Sequence, residues 1–131
     1  MTDRFGHYTL TNYEMVKEFH EALDVVRDQW PYGKALRDLR GRLIQEEFDE
    51  LMDEIYDPEP NRKRMAKELA DLLYVVYGTA DAFGIPIDAV FREVHKSNMS
   101  KLGPDGKFIK REDGKTMKGP NYQPPNLDRL V

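Results

Sequence analysis

Apolar residues recur at spacings of three and four along four stretches of this chain, the period of helices with one buried face. The first opens at Thr11-Asn12-Tyr13-Glu14, a capping-box pattern in which Glu14 can reach back to the Thr11 backbone. Val16, Phe19, His20 and Leu23 continue its stripe. The second runs from about Leu36 to Tyr56, with Leu36, Leu39, Leu43, Ile44, Phe48, Leu51 and Ile55 on a broad apolar arc. Asp57-Pro58-Glu59-Pro60 ends it, because proline disfavours helix at the preceding residue. The third runs from about Asn61 to Phe83 and carries Met65, Leu69, Leu72, Leu73, Val76, Ala80 and Phe83. Gly84 suits a left-handed cap, and Pro86 a first turn, so a fourth helix follows with Ile87, Val90, Phe91 and Val94 on its buried side. From Leu102 the pattern changes to glycines, prolines and two Asp-Gly turn signals, with a small hairpin expected around Asp113-Gly114. These elements predict one all-α domain over residues 1–131: a four-helix bundle-like protomer, core helices at about 11–102, and an irregular basic tail at 103–131. Met1 to Leu10 reads as a poorly ordered leader.

The pattern is broken by acids on the wrong side. A solvated acidic face should lie opposite the apolar stripe. Glu46 and Glu50 instead border the arc of the second helix, and Glu47 falls inside it, between the directions of Leu43 and Leu51. Asp49 and Asp53 point elsewhere and read as surface charge. On the third helix Glu68 borders the stripe and Asp71 lies beside it, one turn on. An isolated run of glutamates is most often a solvated face. Two such groups on consecutive helices are different, since antiparallel packing can bring Glu46, Glu47, Glu50, Glu68 and Asp71 together. Partly buried like charges at that density cost several kcal/mol per ion, of order, unless they are paired or bind metal. Hard oxygen ligands suit Mg²⁺, with Mn²⁺ as a substitute.

Glu46-Glu47-x-x-Glu50 followed eighteen residues later by Glu68-x-x-Asp71 resembles the signature of the all-α nucleoside triphosphate pyrophosphohydrolases, which include MazG-like proteins, dimeric dUTPases and dCTPases, and phosphoribosyl-ATP pyrophosphohydrolase. The run from Val94 to Lys101, then Asp113-Gly114-Lys115 and Lys118-Gly119-Pro120-Asn121-Tyr122, is similar to a MazG-like, phosphoribosyl-ATP-pyrophosphohydrolase-like branch; the likeness covers roughly Phe19 to Pro125. The resemblance implies Mg²⁺-dependent cleavage of a nucleoside triphosphate to monophosphate and pyrophosphate. It also implies a dimer or tetramer of packed bundles. Together with its place inside the apolar arc, it marks Glu47 as the general base, with a shared ligand role open. Glu46, Glu50, Glu68 and Asp71 are then the remaining metal ligands. Lys96, Asn98, Lys101, Lys115 and Tyr122 are the candidate nucleotide contacts. Asn98 and Lys101 also extend the stripe of the fourth helix, although a helix C-terminus favours lysine for dipole reasons alone.

Composition narrows the field. The net charge of −4 gives no basis for nucleic-acid binding by the chain as a whole. The absence of cysteine excludes disulfides and thiolate zinc sites and fits a reducing cytoplasm. No run approaches the ~18 apolar residues of a membrane span, so a soluble, cytoplasmic protein is expected. Between Lys101 and Lys118, six Lys/Arg face three Asp/Glu, so the tail can either fold over a triphosphate or remain a packing segment. Trp30, in the Arg27–Lys34 loop, has two readings: it stacks on a base, or it packs the loop down. His20 reads as a packing or interface residue. A di-iron bundle requires Glu-x-x-His pairs, and His7, His20 and His95 supply none. The competing functions are therefore nucleotide-pool housekeeping on a (deoxy)nucleoside triphosphate, hydrolysis of phosphoribosyl-ATP, and a non-catalytic helical interaction module. Broad apolar stripes that one helical layer leaves open also favour oligomerisation, for which the resemblance implies a homodimer or homotetramer.

Overall fold

The computed structural model describes residues 9–131 together with Thr2, Arg4 and Gly6. Met1, Asp3, Phe5, His7 and Tyr8, which include part of the expected leader, lie outside the described residues. The chain has four helices: α1 Asn12–Leu23, α2 Lys34–Ile55, α3 Arg62–Phe83 and α4 Ile87–Met99. A two-stranded antiparallel hairpin, β1 Ile109–Lys110 and β2 Thr116–Met117, is the only sheet among the described residues. The protein is all-α. It divides into two compact units, Met1–Ile85 and Pro86–Val131.

In the first unit α3 is the central helix, packed against both α1 and α2. Its boundaries follow local chemistry. The Asn61 side chain accepts from the Arg64 amide at the N-terminus, and Gly84 closes the C-terminus at φ 69°, where a side chain would be strained. α1 starts with both halves of the Thr11–Glu14 capping box in place. Val16, Tyr13 and His20 of α1 are buried, as are Leu51 of α2 and Ala80 and Ala82 of α3. The Tyr13 hydroxyl donates to the Ile85 carbonyl at 2.7 Å.

Much of the expected core stripe is open in this chain. Phe48 and Ile55 of α2, and Leu69, Leu73 and Val76 of α3, are exposed. The reason is geometric: a single layer of helices covers each stripe on one side only, as the breadth of the arcs implied. The C-terminal half of α3 also buries polar groups together with its neighbours on α1 and α2. Asp81 is 1% exposed, His20 6% and Arg40 7%. One Asp81 carboxylate oxygen sits 2.7 Å from His20 Nδ1 and accepts from Arg27 Nε at 2.9 Å. Buried charge is tolerated here because each group has directed partners.

In the second unit, Ser97 on the inner side of α4 donates to the Gln123 carbonyl at 2.7 Å, and the Gln123 amide donates to Ser100 Oγ at 2.9 Å. Those bonds fasten the C-terminal segment to its helix. Phe91 and Val94, expected to be buried, are exposed. The hairpin turns at Gly114, at φ 83°, where the Asp113-Gly114 signal placed it. Among the described residues no helix is long and apolar enough to cross a membrane.

Candidate metal centre

α2 and α3 bring four of the five predicted acids together. Glu47, Glu50, Glu68 and Asp71 each offer a carboxylate oxygen, and these oxygens all lie within 4.8 Å of one another. The spacing explains the convergence: residues three apart share a helix face, so each helix contributes a pair. Glu46 is exposed and stands outside the group. It lies one turn before Glu50 on α2. Asp49 is on the outer surface, accepting from Gln45 of its own helix at 2.8 Å.

Two of the four acids are not ordinary solvated charges. Glu47 Oε2 and Glu68 Oε2 are buried and have no hydrogen-bond partner. A buried carboxylate oxygen without a donor is costly, since nothing replaces its lost hydration. Burial pushes the Glu68 carboxyl above its ordinary value, Glu50 and Asp71 reinforce the effect, and Lys67 opposes it. Lys67 stands at the edge of the cluster: its ammonium lies 2.7 Å from Asp71 and 3.5 Å from Glu68. Lys67 is itself largely exposed and holds only one edge of the group. A hard divalent cation would satisfy the two orphaned oxygens together and neutralise the remaining charge, so the donor set fits Mg²⁺ or Mn²⁺.

This predicts a pH dependence with a definite sign. Because the folded-state pKa of Glu68 is raised, its contribution to metal-free stability is full at acid pH and is lost as pH rises through the raised value. Divalent metal needs the deprotonated form, so protons compete with it. The melting-temperature gain from Mg²⁺ should therefore fade on acidification beginning above the usual glutamate value of 4.5. Melting curves with and without Mg²⁺ at stepped pH measure this. A gain that stays flat down to 4.5 would contradict it.

The other predicted contacts belong to the second unit. Lys96 lines a cavity of about 230 Å³ with Glu93, Ser97, Ser100, Gln123, Pro124 and Asn126. Asn98 is exposed, and the Lys101 carbonyl accepts from the Gly119 amide at 3.1 Å. Lys115 is exposed, and the Lys118 ammonium stands 4.6 Å over the Tyr122 ring. Trp30 packs edge-on against Tyr32 and Phe83. Phe83 lies twelve residues beyond Asp71 on α3, or about 18 Å of helix. The tryptophan of a given chain is therefore remote from that chain's own acids.

Two residues escaped the sequence reading. Lys67 gave only a local signal, a lysine four residues before Asp71. Arg40 gave a better one, a charged residue inside the apolar arc of α2, one turn from Leu36 and Ile44. Its buried guanidinium donates to the Val75 carbonyl at 3.1 Å and to Thr79 Oγ1 at 3.2 Å, both on α3.

Comparison with known proteins agrees with this geometry. The phosphoribosyl-ATP pyrophosphohydrolase family model matches residues 16–98, which include α2, α3 and all four converging acids. An uncharacterized protein of Acanthamoeba polyphaga mimivirus is 37% identical over 112 residues, covering 81% of this chain and 41% of the relative, so the chain spans well under half the relative's length. The chain belongs to the phosphoribosyl-ATP pyrophosphohydrolase family, with its MazG-like all-α fold.

Proposed function

We propose that this member of the family is a Mg²⁺-dependent pyrophosphohydrolase that cleaves a (deoxy)nucleoside triphosphate to monophosphate and pyrophosphate. The observation that carries the reading is the pair of buried, partnerless oxygens on Glu47 and Glu68 within a four-carboxylate group. Glu47, Glu50, Glu68 and Asp71 would hold Mg²⁺, which supplies neutralisation of the triphosphate and Lewis-acid polarisation of its phosphoryl oxygens. Glu47 would receive the proton of the attacking water through the carboxylate oxygen that the metal does not occupy. The water oxygen bonds to phosphorus as the α–β anhydride breaks, and pyrophosphate leaves. A carboxylate fixed between two helices is well placed for this, because the geometry of in-line attack is set before substrate arrives. Lys96, Asn98, Lys101, Lys115 and Tyr122 remain the proposed nucleotide contacts. The exposed apolar residues of α2 and α3 support a homodimer or homotetramer.

Phosphoribosyl-ATP is the second substrate reading, favoured by the family match. It presents the same triphosphate to the acids, and discrimination rests on hydrogen bonds to the rest of the molecule. A product-resolved screen with Mg²⁺ tests both. The expected result is monophosphate plus pyrophosphate from at least one deoxynucleoside triphosphate, with dUTP and dCTP the first to try. Cleavage of phosphoribosyl-ATP alone would select the second reading. Release of orthophosphate as the primary product would exclude both. A chain that binds neither divalent metal nor nucleotide would be a helical interaction module.

A further inference from the structure

The four acids place like charges on both sides of the α2–α3 seam, so the metal-free site pushes its own helices apart. The apolar side chains of that seam resist separation through burial and interdigitation, but they carry no directed bond across it. Arg40 is directional. It lies seven residues before Glu47, about 10 Å along α2, and reaches across to α3. Its Nη2 donates to the Val75 carbonyl, its Nε donates to Thr79 Oγ1, and the Thr79 hydroxyl donates to the same Val75 carbonyl at 2.8 Å. Val75 is four residues beyond Asp71. Among the described residues no carboxylate lies within ion-pair distance of Arg40; the buried Asp81 attracts it only at longer range, so the directed bonds of its guanidinium are those to α3. Room for the guanidinium is made by Gly78: a Cβ there would stand 2.5 Å from Arg40 Nη2 and 3.1 Å from His20 Nε2. A glycine inside a helix costs about 1 kcal/mol relative to alanine, and this close approach accounts for its presence.

We infer that Arg40 is a positioning residue: it pins the sliding register of α2 on α3 so that Glu47 and Glu50 meet Glu68 and Asp71. The inference rests on the metal-site reading above for its consequence but not for its geometry, and the two can be tested apart.

The chain has no cysteine, so spin labels can be introduced at Arg37→Cys on α2 and Lys63→Cys on α3, both exposed. Their separation, measured by electron–electron resonance without metal, reports register directly; a one-turn slip is about 5.4 Å. Arg40→Met and, independently, Gly78→Ala should shift or broaden that distance. Mg²⁺ affinity by calorimetry should weaken about 10- to 100-fold, the usual cost of losing a group that orients metal ligands. The sign separates causes. Removing a positive charge near a cation site would by electrostatics alone tighten Mg²⁺ binding, whereas loss of register weakens it. Val16→Ala, which loosens the α1 core, should change neither reading. Should Arg40→Met fail to fold, Gly78→Ala and Arg40→Lys carry the test, the lysine keeping the charge but only one of the two donor directions. An unchanged distance in the folded variants overturns the inference, whatever the metal affinity does. A wild type that binds no Mg²⁺ while the distance still shifts would retain the pin and reject the metal reading.

Discussion

Replacing Glu47 with glutamine should lower turnover by about two to four orders of magnitude, the range associated with a lost general base. The substitution keeps shape and leaves three of the four converging carboxylates in place. Part of the stabilisation by Mg²⁺ should be lost with the ligand role, but turnover should fall further than that loss accounts for, with the defect in kcat more than in KM. The contrast is Glu68→Gln, which removes the other partnerless oxygen from a residue proposed as ligand alone. It should lose Mg²⁺ response and turnover together. Steady-state kinetics at saturating Mg²⁺, paired with melting curves, separates the two. If Glu47→Gln retains wild-type turnover, Glu47 is not the base. If Glu68→Gln instead keeps its Mg²⁺ response and loses only turnover, the roles are exchanged, which the raised Glu68 pKa makes chemically reasonable.

How much of this was legible in the sequence depends on which forces were local. Helix ends were local. The Thr11 box, the Asn61 start and the Gly84 cap involve neighbouring residues, and the structure places them where the pattern did. The acid pairs were nearly local, since spacing on one helix fixes their face and antiparallel packing does the rest. Glu46 shows the limit: it borders the stripe as Glu50 does yet stands outside the converging group, and a helix projection does not settle the direction of a long side chain. Burial was not local at all. Leu69, Leu73 and Phe48 satisfy the stripe and are exposed, because the pattern specifies which side is apolar and not what covers it. The Arg40–Thr79 bond joins residues 39 apart. Only the anomaly of an arginine within the apolar arc hinted at it.

Glu50→Gln against Asp49→Asn tests whether the acids act as a site at all. The two residues are adjacent on α2 and chemically alike, and each substitution removes one negative charge. Glu50 is in the converging group, whereas Asp49 is bound to Gln45 on the outer face. In the metal-free protein Glu50→Gln relieves repulsion with Glu68, so stability should be equal to wild type or higher. With metal the order reverses. A ligand that binds the native state at one hundred times its Kd stabilises by about 2.7 kcal/mol, and for a chain of this length that corresponds to roughly 5–10 °C in Tm. Wild type and Asp49→Asn should show that gain with Mg²⁺. Glu50→Gln should show little of it, and its turnover should fall by orders of magnitude because the metal is no longer held for in-line attack. A solvated acidic face would respond to the loss of either charge equally, through weak, salt-screened attraction of cations. Indistinguishable variants in both assays would therefore reject the metal centre, since only converging ligands give adjacent carboxylates different thermodynamic roles.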